Sequence, residues 1–423
     1  PSAELPRPRF PALDGIRGVA ILSVLIYHLL PRPDVTSWPL RTVQLAGRLG
    51  WVGVDVFFVL SGFLITGILL DARDTPQRWR TFLARRALRI FPLYYGAVAL
   101  LGLLLPHPQA WLGWLLAYGA NVRMGLWPLF RGSESIPSAA WHFWSLAVEE
   151  QFYLLWPFVV WSVAPQRLAR LCLGLAALAL VVRLGLRASV GSHGAYLLLP
   201  ARMDALVIGG LLAVALRTPD WWAAWQRVRG RAGGAAAAVV MLLIARVLLS
   251  PAPSADLSVD IGMQTLGYPA LAIAAAAWIA YAVDRPDAGW GWLARGPLPW
   301  TGGYAYGLYV WHAILATLAL PLLARRGWLG PSPDVRPWWG MAGHLVAGVA
   351  LSVGAAVVSY HALEAPFLRL KRLAATGVRR GADAERIVPT GESAGRQSPG
   401  LHAFASDGVN APVGRPPRGG ASP

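Results

Sequence analysis

The sequence has few of the residues on which soluble proteins depend. Only 14% of its 423 residues are charged, and Cys172 is its single cysteine. One cysteine excludes an intrachain disulfide, and Cys172 lies in the apolar run LCLGLAALAL, where packing is its expected role. A chain that is 56% hydrophobic and so poor in charge has too little polar surface for an ordinary soluble domain.

The sequence also lacks the patterns of a nucleic-acid-binding protein. Its net charge is +17, but the basic residues are scattered between apolar runs, without a basic recognition helix or zinc-finger spacing. No nucleic-acid partner is therefore expected. The first apolar run is followed by YHLLPRPD instead of a small-residue cleavage site, so this run is expected to stay in the protein.

Long apolar runs, in contrast, recur along most of the chain. Each is close to the ~20 residues that cross a hydrocarbon core of ~30 Å. They predict an all-α fold, a polytopic integral membrane protein with about ten transmembrane helices. The runs lie near 11–30, 51–71, 87–105, 141–164, 169–187, 197–216, 233–250, 262–283, 300–324 and 340–364. The segment 110–122 is shorter and rich in Trp and Gly, and is predicted to be interfacial or re-entrant.

The distribution of basic residues predicts the orientation of these helices. With the N-terminus inside, the cytoplasmic connections contain about twice as many basic residues as the outer ones. Both termini are therefore predicted to be cytoplasmic. The predicted regions are a cytoplasmic N-terminal segment 1–10, a membrane domain 11–370 and a disordered cytoplasmic tail 371–423, which is rich in Gly, Pro and Ser.

The first apolar run carries three polar residues that are costly in lipid. Such side chains normally face the bundle interior and mark substrate or proton paths. Arg17 and His28 are eleven residues apart, which places them on nearly one helix face with ~16 Å of rise between them. Asp14 precedes Arg17 by three residues and can pair with it. Alternatively, Arg17 snorkels to the membrane surface and His28 is a packed histidine.

Two motifs in the next runs add candidate donors. The arginine cluster, Arg85, Arg86 and Arg89 in RRALRIFPLYY, offers three guanidinium groups, which suit bidentate phosphate binding. An ordinary positive-inside anchor beside an aromatic belt is the alternative. In GVDVFFVLSGFLIT, Ser61 precedes Gly62 and is either a hydrogen-bond donor or a small residue that permits close packing.

The fourth run contains adjacent carboxylates in WHFWSLAVEEQFYLLWP. Adjacent residues of a helix point about 100° apart, so only one carboxylate faces a cavity comfortably. Glu149 lies one turn after Ser145 and is predicted to be functional, whereas Glu150 is expected to pair with arginine or face the headgroups. Single histidines are weaker signals: His344 is expected to be packed, and His312 in YGLYVWH gives no assignment alone.

Taken together, LDGIRGVAILSVLIYH, GVDVFFVLSGFLIT, RRALRIFPLYY, WSLAVEEQFYLLWP, YGLYVWH and EAPFLR resemble, in order and spacing, the motifs of the acyltransferase-3 family. Members are integral-membrane acyltransferases that O-acetylate bacterial surface polysaccharides and some macrolides. The resemblance covers about residues 8–370. It implies a bacterial plasma-membrane enzyme that moves an acyl group from acyl-CoA, with acetyl-CoA expected, to a hydroxyl of a sugar-containing acceptor. No metal is implied.

The resemblance also implies roles for the candidate residues. His28 would be the general base, with Glu149 as its orienting or proton-accepting partner. Arg17 and the arginine cluster would hold the phosphates or thioester arm of CoA, and Ser61 would donate to the thioester carbonyl or merely permit packing. The acceptor would be a cell-surface glycan, a lipid-linked sugar or a glycosylated macrolide, and acylation of an amino group stays open.

The main alternative is a transporter or flippase, because buried Arg, His and Glu also form proton relays. That class predicts inverted repeats and broken helices in matching halves. The sequence contains no such symmetry.

Overall fold

The computed structural model describes residues 11–32, 37–130, 136–248, 257–284 and 291–370. Within these ranges the regular structure is entirely helical, without a β-strand, which confirms the predicted all-α fold class. The predicted cytoplasmic segment 1–10 and the predicted tail 371–423 lie outside the described residues.

Ten long helices form the bundle in the described part of the chain. They are α1 (Pro11–Leu29), α3 (Val52–Asp71), α4 (Arg78–Leu104), α7 (Phe143–Ser162), α8 (Pro165–Ser189), α10 (Leu199–Leu216), α11 (Pro219–Leu248), α12 (Tyr268–Asp284), α15 (Ala305–Leu318) and α17 (Pro337–Ser359). Short helices connect them. These are α2 (Trp38–Gly47), α5 (Pro108–Leu116), α6 (Ala120–Gly125), α9 (Ser192–Leu197), α13 (Gly291–Ala294), α14 (Pro297–Gly303) and α16 (Leu320–Arg325).

Nine segments of the described chain are long and apolar enough to cross a membrane. They are Pro11–Leu29, Trp38–Asp71, Arg78–Leu104, Pro165–Ser189, Ser192–Leu216, Pro219–Arg246, Met263–Asp284, Ala305–Arg325 and Pro337–Leu370. All nine overlap runs predicted from the sequence. The remaining predicted run, 141–164, forms α7, which has 20 residues and so spans ~30 Å. It is absent from the nine because Glu149, Glu150 and Gln151 lower its hydropathy.

The segment 110–122 forms parts of α5 and α6, which have 9 and 6 residues. Helices this short do not cross a bilayer. Between them Tyr118 adopts a left-handed conformation, with φ at 51°, and its ring stacks on Tyr94 at 4.1 Å. Tyr94 is itself buried and donates its hydroxyl to the Leu115 carbonyl at 2.8 Å. The aromatic residues of the third run therefore fasten this segment to the bundle.

Helix α1 packs against α3, α14 and α15 and so lies inside the bundle. Its approach to α14 depends on glycine: a Cβ on Gly302 would lie 1.8 Å from the carbonyl oxygen of Asp14. Lipid tails are as apolar as the helix surface, so the hydrophobic effect does not drive helices together in a membrane. Small residues at a crossing instead let the two backbones pack closely. This packing fixes the turn of α1 that carries Asp14 and Arg17.

A second group of polar residues joins α3, α8 and α10. We call Asp55, Arg202, Arg183 and Asp204 the ion-pair cluster. Arg202 donates to Asp55 at 2.6 Å and Arg183 donates to Asp204, with all four side chains no more than 2% exposed. The Arg202 guanidinium also lies 3.8 Å from the centroid of the Tyr268 ring. Opposite charges thus neutralise one another in the core, as buried ions require.

Candidate active site

Glu149 is the centre of a polar cluster built from four helices. It is hydrogen-bonded to Ser61 of α3 and Tyr153 of α7, and it lies within electrostatic range of Arg86 of α4 and Arg17 of α1. We call these five residues the Glu149 cluster. Ser61 and Tyr153 also share a hydrogen bond, and the Arg86 guanidinium lies 5.3 Å from the centroid of the Tyr153 ring. The structure therefore brings together four of the seven residues predicted for the site.

Arg17 pairs with Asp14 at 2.7 Å, as its spacing in the sequence predicts. Both side chains are only partly buried, at 18% and 17% exposure. The pair leaves the guanidinium close to Glu149 as well. The pair with Asp14 restrains the orientation of the guanidinium, and a restrained guanidinium suits recognition of a phosphate or carbonyl group.

Ser61 and Gly62 have separate roles although they are adjacent. Ser61 faces α7 and bonds to Tyr153. Gly62 faces α10, where an added Cβ would lie 1.8 Å from the carbonyl oxygen of Leu206. Ser61 is thus hydrogen-bonded and Gly62 makes the close packing contact, while donation from Ser61 to a thioester carbonyl stays a prediction.

The three arginines of the arginine cluster do not share one environment. Arg86 belongs to the Glu149 cluster, whereas Arg89 lies near Glu364 and Tyr306. Arg85 is partly buried and joins neither group within the described residues. The motif thus contributes Arg86 to the Glu149 cluster, Arg89 to the surroundings of Glu364, and Arg85 to neither.

Glu150 is predicted from the sequence to pair with arginine or to face the headgroups. It is partly buried and lies in the electrostatic range of Arg86, so the expected pairing with arginine describes it better. The next residue, Gln151, exchanges hydrogen bonds of 3.1 and 2.8 Å with Asn121 and donates to the Tyr118 carbonyl at 2.9 Å. These three neighbouring residues of α7 are therefore all partly buried, and Gln151 fastens α6 and Tyr118 to α7.

His28 lies at the far end of α1 from Arg17. Its Nδ1 is 3.0 Å from the Val24 carbonyl oxygen. Because a carbonyl oxygen only accepts, Nδ1 carries the proton and the lone pair of the uncharged ring is on Nε2. Residue 28 is exposed, in contrast to the two histidines that lie next to it in space. No contact between His28 and Glu149 occurs in the described part of the chain, and Glu149 as partner of His28 stays a prediction.

Two more histidines extend inward from His28. The ring of His312, in α15, lies 4.8 Å from that of His28, and the ring of His142, just before α7, lies 5.0 Å from that of His312. We call these three the histidine row. His312 and His142 are buried, at 0% and 3% exposure. Each was visible in the sequence, but nothing local showed that three helices bring them together.

A line of polar contacts connects the histidine row to the Glu149 cluster. The Tyr309 hydroxyl donates to the His142 carbonyl at 2.8 Å and lies 2.5 Å from the Ser145 hydroxyl. Ser145 precedes Glu149 by one helical turn. Because His142 adjoins the His28 end and Glu149 the Arg17 end, α7 runs antiparallel to α1 along the site. The sequence did not single out Tyr153 and Tyr309 for these roles, since a tyrosine in an aromatic belt has the same local pattern.

Comparison with known proteins agrees with this architecture. A family model described as an acyltransferase domain matches residues 10–361. The peptidoglycan O-acetyltransferase OatA of Listeria monocytogenes is 34% identical over 191 residues, which cover 40% of this chain and 28% of that protein. The putative peptidoglycan O-acetyltransferase YrhL of Bacillus subtilis is 29% identical over 385 residues, covering 84% of this chain and 54% of its own.

A putative O-acetyltransferase of Staphylococcus aureus is 32% identical over 171 residues, or 36% of this chain and 24% of that protein. The chain thus spans about half the length, or less, of these curated relatives. No solved structure gives a significant match. With the family model covering most of a multi-pass helical chain, the chain belongs to the acyltransferase-3 family that its motifs resemble.

Proposed function

We propose that this chain transfers an acyl group, with acetyl expected, from acyl-CoA to a hydroxyl of a cell-envelope glycan. The observation that carries the proposal is the state of His28, whose protonated Nδ1 is fixed on Val24 while the residue is exposed. The names of the relatives OatA and YrhL, both peptidoglycan O-acetyltransferases, favour a glycan over a macrolide.

The chemistry assigned to His28 is general base catalysis. Its Nε2 takes the proton of the acceptor hydroxyl while that oxygen forms a bond to the thioester carbonyl carbon. The carbon–sulfur bond then breaks, and the leaving thiolate takes the proton back from Nε2. The products are an acyl ester and free CoA, and His28 is restored.

The Glu149 cluster is assigned to the acyl donor. Arg17 and Arg86 offer guanidinium groups to the phosphates or to the thioester carbonyl, where charge develops in the transition state. Ser61 offers a hydroxyl beside them. Glu149 is assigned to attract these two arginines, because it lies in the electrostatic range of both and has no contact with His28 in the described part of the chain.

The two ends of the site suggest how the substrates meet. Arg17 and His28 are eleven positions apart in α1, or ~16 Å along the helix axis. A donor held at the Arg17 end must extend its pantetheine arm through the bundle to reach His28. With the N-terminus in the cytoplasm, the acceptor would then bind from the outer side. Labelling of a cysteine introduced next to His28 tests this, since accessibility only from the cytoplasm would contradict it.

The test of the function is mass spectrometry of envelope glycans, lipids and secreted metabolites from cells that express the intact protein or His28→Ala at matched levels. Species heavier by one acyl group are expected only with the intact protein. His344→Ala is the matched control, because His344 lies on α17 with its Nδ1 2.9 Å from the Gly340 carbonyl. Identical profiles for the intact protein and His28→Ala, with both folded in the membrane, would contradict the proposal and favour a transporter.

A further inference from the structure

The histidine row has an unusual hydrogen-bonding state. Like Nδ1 of His28, Nδ1 of His312 faces a carbonyl oxygen, that of Tyr309 at 2.7 Å, and Nε2 of His142 faces that of Val310 at 3.1 Å. Since carbonyl oxygens only accept, each of these nitrogens carries a proton. In the uncharged rings the lone pairs are therefore on Nε2 of His28, Nε2 of His312 and Nδ1 of His142.

The three rings cannot all become charged. Adjacent imidazolium groups repel, and at ring separations of 4.8 and 5.0 Å the repulsion is strong inside a protein. Two adjacent rings of the row therefore do not carry a second proton at the same time. A ring that stays uncharged remains a hydrogen-bond acceptor on its free nitrogen.

Two of these acceptors have no donor in the part of the chain that the structure describes. His312 Nε2 and His142 Nδ1 are buried without a hydrogen-bond partner. An acceptor left in this state costs about 1–3 kcal/mol. The cost is avoided if a bound molecule supplies the donors. His28 is the exposed member of the row, and its ring lies 4.8 Å from that of His312.

We infer that the histidine row binds a carbohydrate acceptor, and that more than one hydroxyl or amide N–H of the carbohydrate donates a hydrogen bond to the row. One hydroxyl of the sugar meets His28 Nε2, and a neighbouring hydroxyl or amide N–H donates to His312 Nε2. His142 receives a further donor, from the sugar or from a water molecule beside it. This inference rests on the proposed function and adds to it, because it assigns acceptor binding to His312 and His142.

The row thereby selects the acceptor. An alcohol with a single hydroxyl satisfies His28 but leaves the buried nitrogen of His312 without a donor. A site built to hydrogen-bond a group discriminates strongly against analogues that lack it, since its own polar atoms are then left unpaired. Sugars, which carry donors on adjacent carbons, fit this requirement.

Binding and turnover are measured separately to test the inference. The intact chain in lipid nanodiscs is titrated calorimetrically with the tetrasaccharide of N-acetylglucosamine, and CoA release from acetyl-CoA is recorded with the same probe. His312→Phe keeps an aromatic ring and removes the lone pair. It is expected to weaken tetrasaccharide binding at least tenfold. The control His344→Phe, on α17, is expected to bind like the intact chain.

The outcomes are distinct. Equal binding by His312→Phe and the intact chain would overturn the inference and leave water as the partner of the row. Failure of the intact chain to bind the tetrasaccharide would also overturn it. Binding that weakens in His312→Phe without any CoA release by the intact chain would uphold the subsite and reject the proposed function. A lower melting temperature for His312→Phe, with binding lost only in proportion to unfolded protein, would make His312 structural.

Discussion

The histidine row and the ion-pair cluster are both polar groups inside the helical bundle, yet they differ in how their atoms are paired. In the ion-pair cluster, each arginine donates to a carboxylate and no side chain is more than 2% exposed. In the histidine row, the rings contact one another and bond to backbone carbonyls, one residue is exposed, and two buried nitrogens have no donor among the described residues. Buried polar atoms without a hydrogen-bond partner occur in both groups among the described residues, since Asp55, Asp204 and Arg202 also have such atoms. The ion-pair cluster, however, balances its charges within the core, whereas the histidine row has an exposed member, His28.

This difference separates structural from functional polar residues better than position does. Polar residues in membrane helices are costly wherever they occur, so their presence alone marks both kinds of site. A charge that is neutralised within the core holds helices together. An exposed histidine beside unpaired acceptors is suited to bind and react. The predictions below separate stability from activity in these two regions and in the Glu149 cluster.

The largest effect is expected when the ion-pair cluster is broken. Arg202→Ala leaves the Asp55 carboxylate buried without its cation, and loss of one partner of a buried pair costs about 3–5 kcal/mol. Thermal unfolding in detergent, followed by tryptophan fluorescence, should show a much lower midpoint. Replacement of both partners, by Arg202→Met with Asp55→Leu, should recover most of the loss. Unchanged stability with lost turnover in Arg202→Ala would assign the pair to the site.

The next effect concerns the crossing of α3 and α10. Gly62→Ala places a methyl group 1.8 Å from the Leu206 carbonyl oxygen, so the helices must separate. Overpacking of this kind costs about 1–3 kcal/mol. The midpoint of thermal unfolding should fall, and activity per folded molecule should change little. Gly174→Ala is the control, because a Cβ there meets nothing within 4 Å and should leave stability unchanged.

A smaller effect is expected from Arg86, the α4 residue of the Glu149 cluster. Arg86→Gln removes a charged donor, and a hydrogen bond to a charged group is worth about 1.5–3 kcal/mol. The KM for acetyl-CoA should rise roughly ten- to a hundredfold, with kcat changed far less. Arg167→Gln, an exposed arginine at the start of α8, should leave the KM unchanged. If Arg86→Gln and Arg167→Gln raise the KM equally, Arg86 contributes only to the overall positive charge of the protein and does not contact acetyl-CoA.

The sequence was sufficient to predict the fold class and nine of the apolar spans, because spanning length and hydropathy are local properties. It also predicted the Arg17–Asp14 pair, which depends only on helical spacing. It did not predict that His312 and His142 adjoin His28, since that contact requires the packing of three helices. The division of the arginine cluster between two carboxylates, Glu149 and Glu364, is likewise a tertiary property.

The smallest effect is expected from Ser61→Ala, which should lower activity slightly and leave stability unchanged, the opposite of what is expected for the adjacent Gly62→Ala. Ser61→Ala removes a hydroxyl that bonds to Glu149 and Tyr153 but adds no atom to the α3–α10 crossing. A hydrogen bond contributes about 0.5–1.5 kcal/mol, so kcat/KM should fall by about two- to tenfold. The midpoint of thermal unfolding should stay close to that of the intact protein.

Tyr153→Phe removes the other hydroxyl of the Ser61 pair and permits a double-mutant cycle. If the two hydroxyls act together on the acyl donor, the double variant should lose little more activity than either single one. Additive losses would mean that each hydroxyl contacts the donor separately. If instead Ser61→Ala lowers the unfolding midpoint as far as Gly62→Ala does, Ser61 is a packing residue. The assignment of hydrogen bonding to the α7 face of α3 and of close packing to its α10 face would then be wrong.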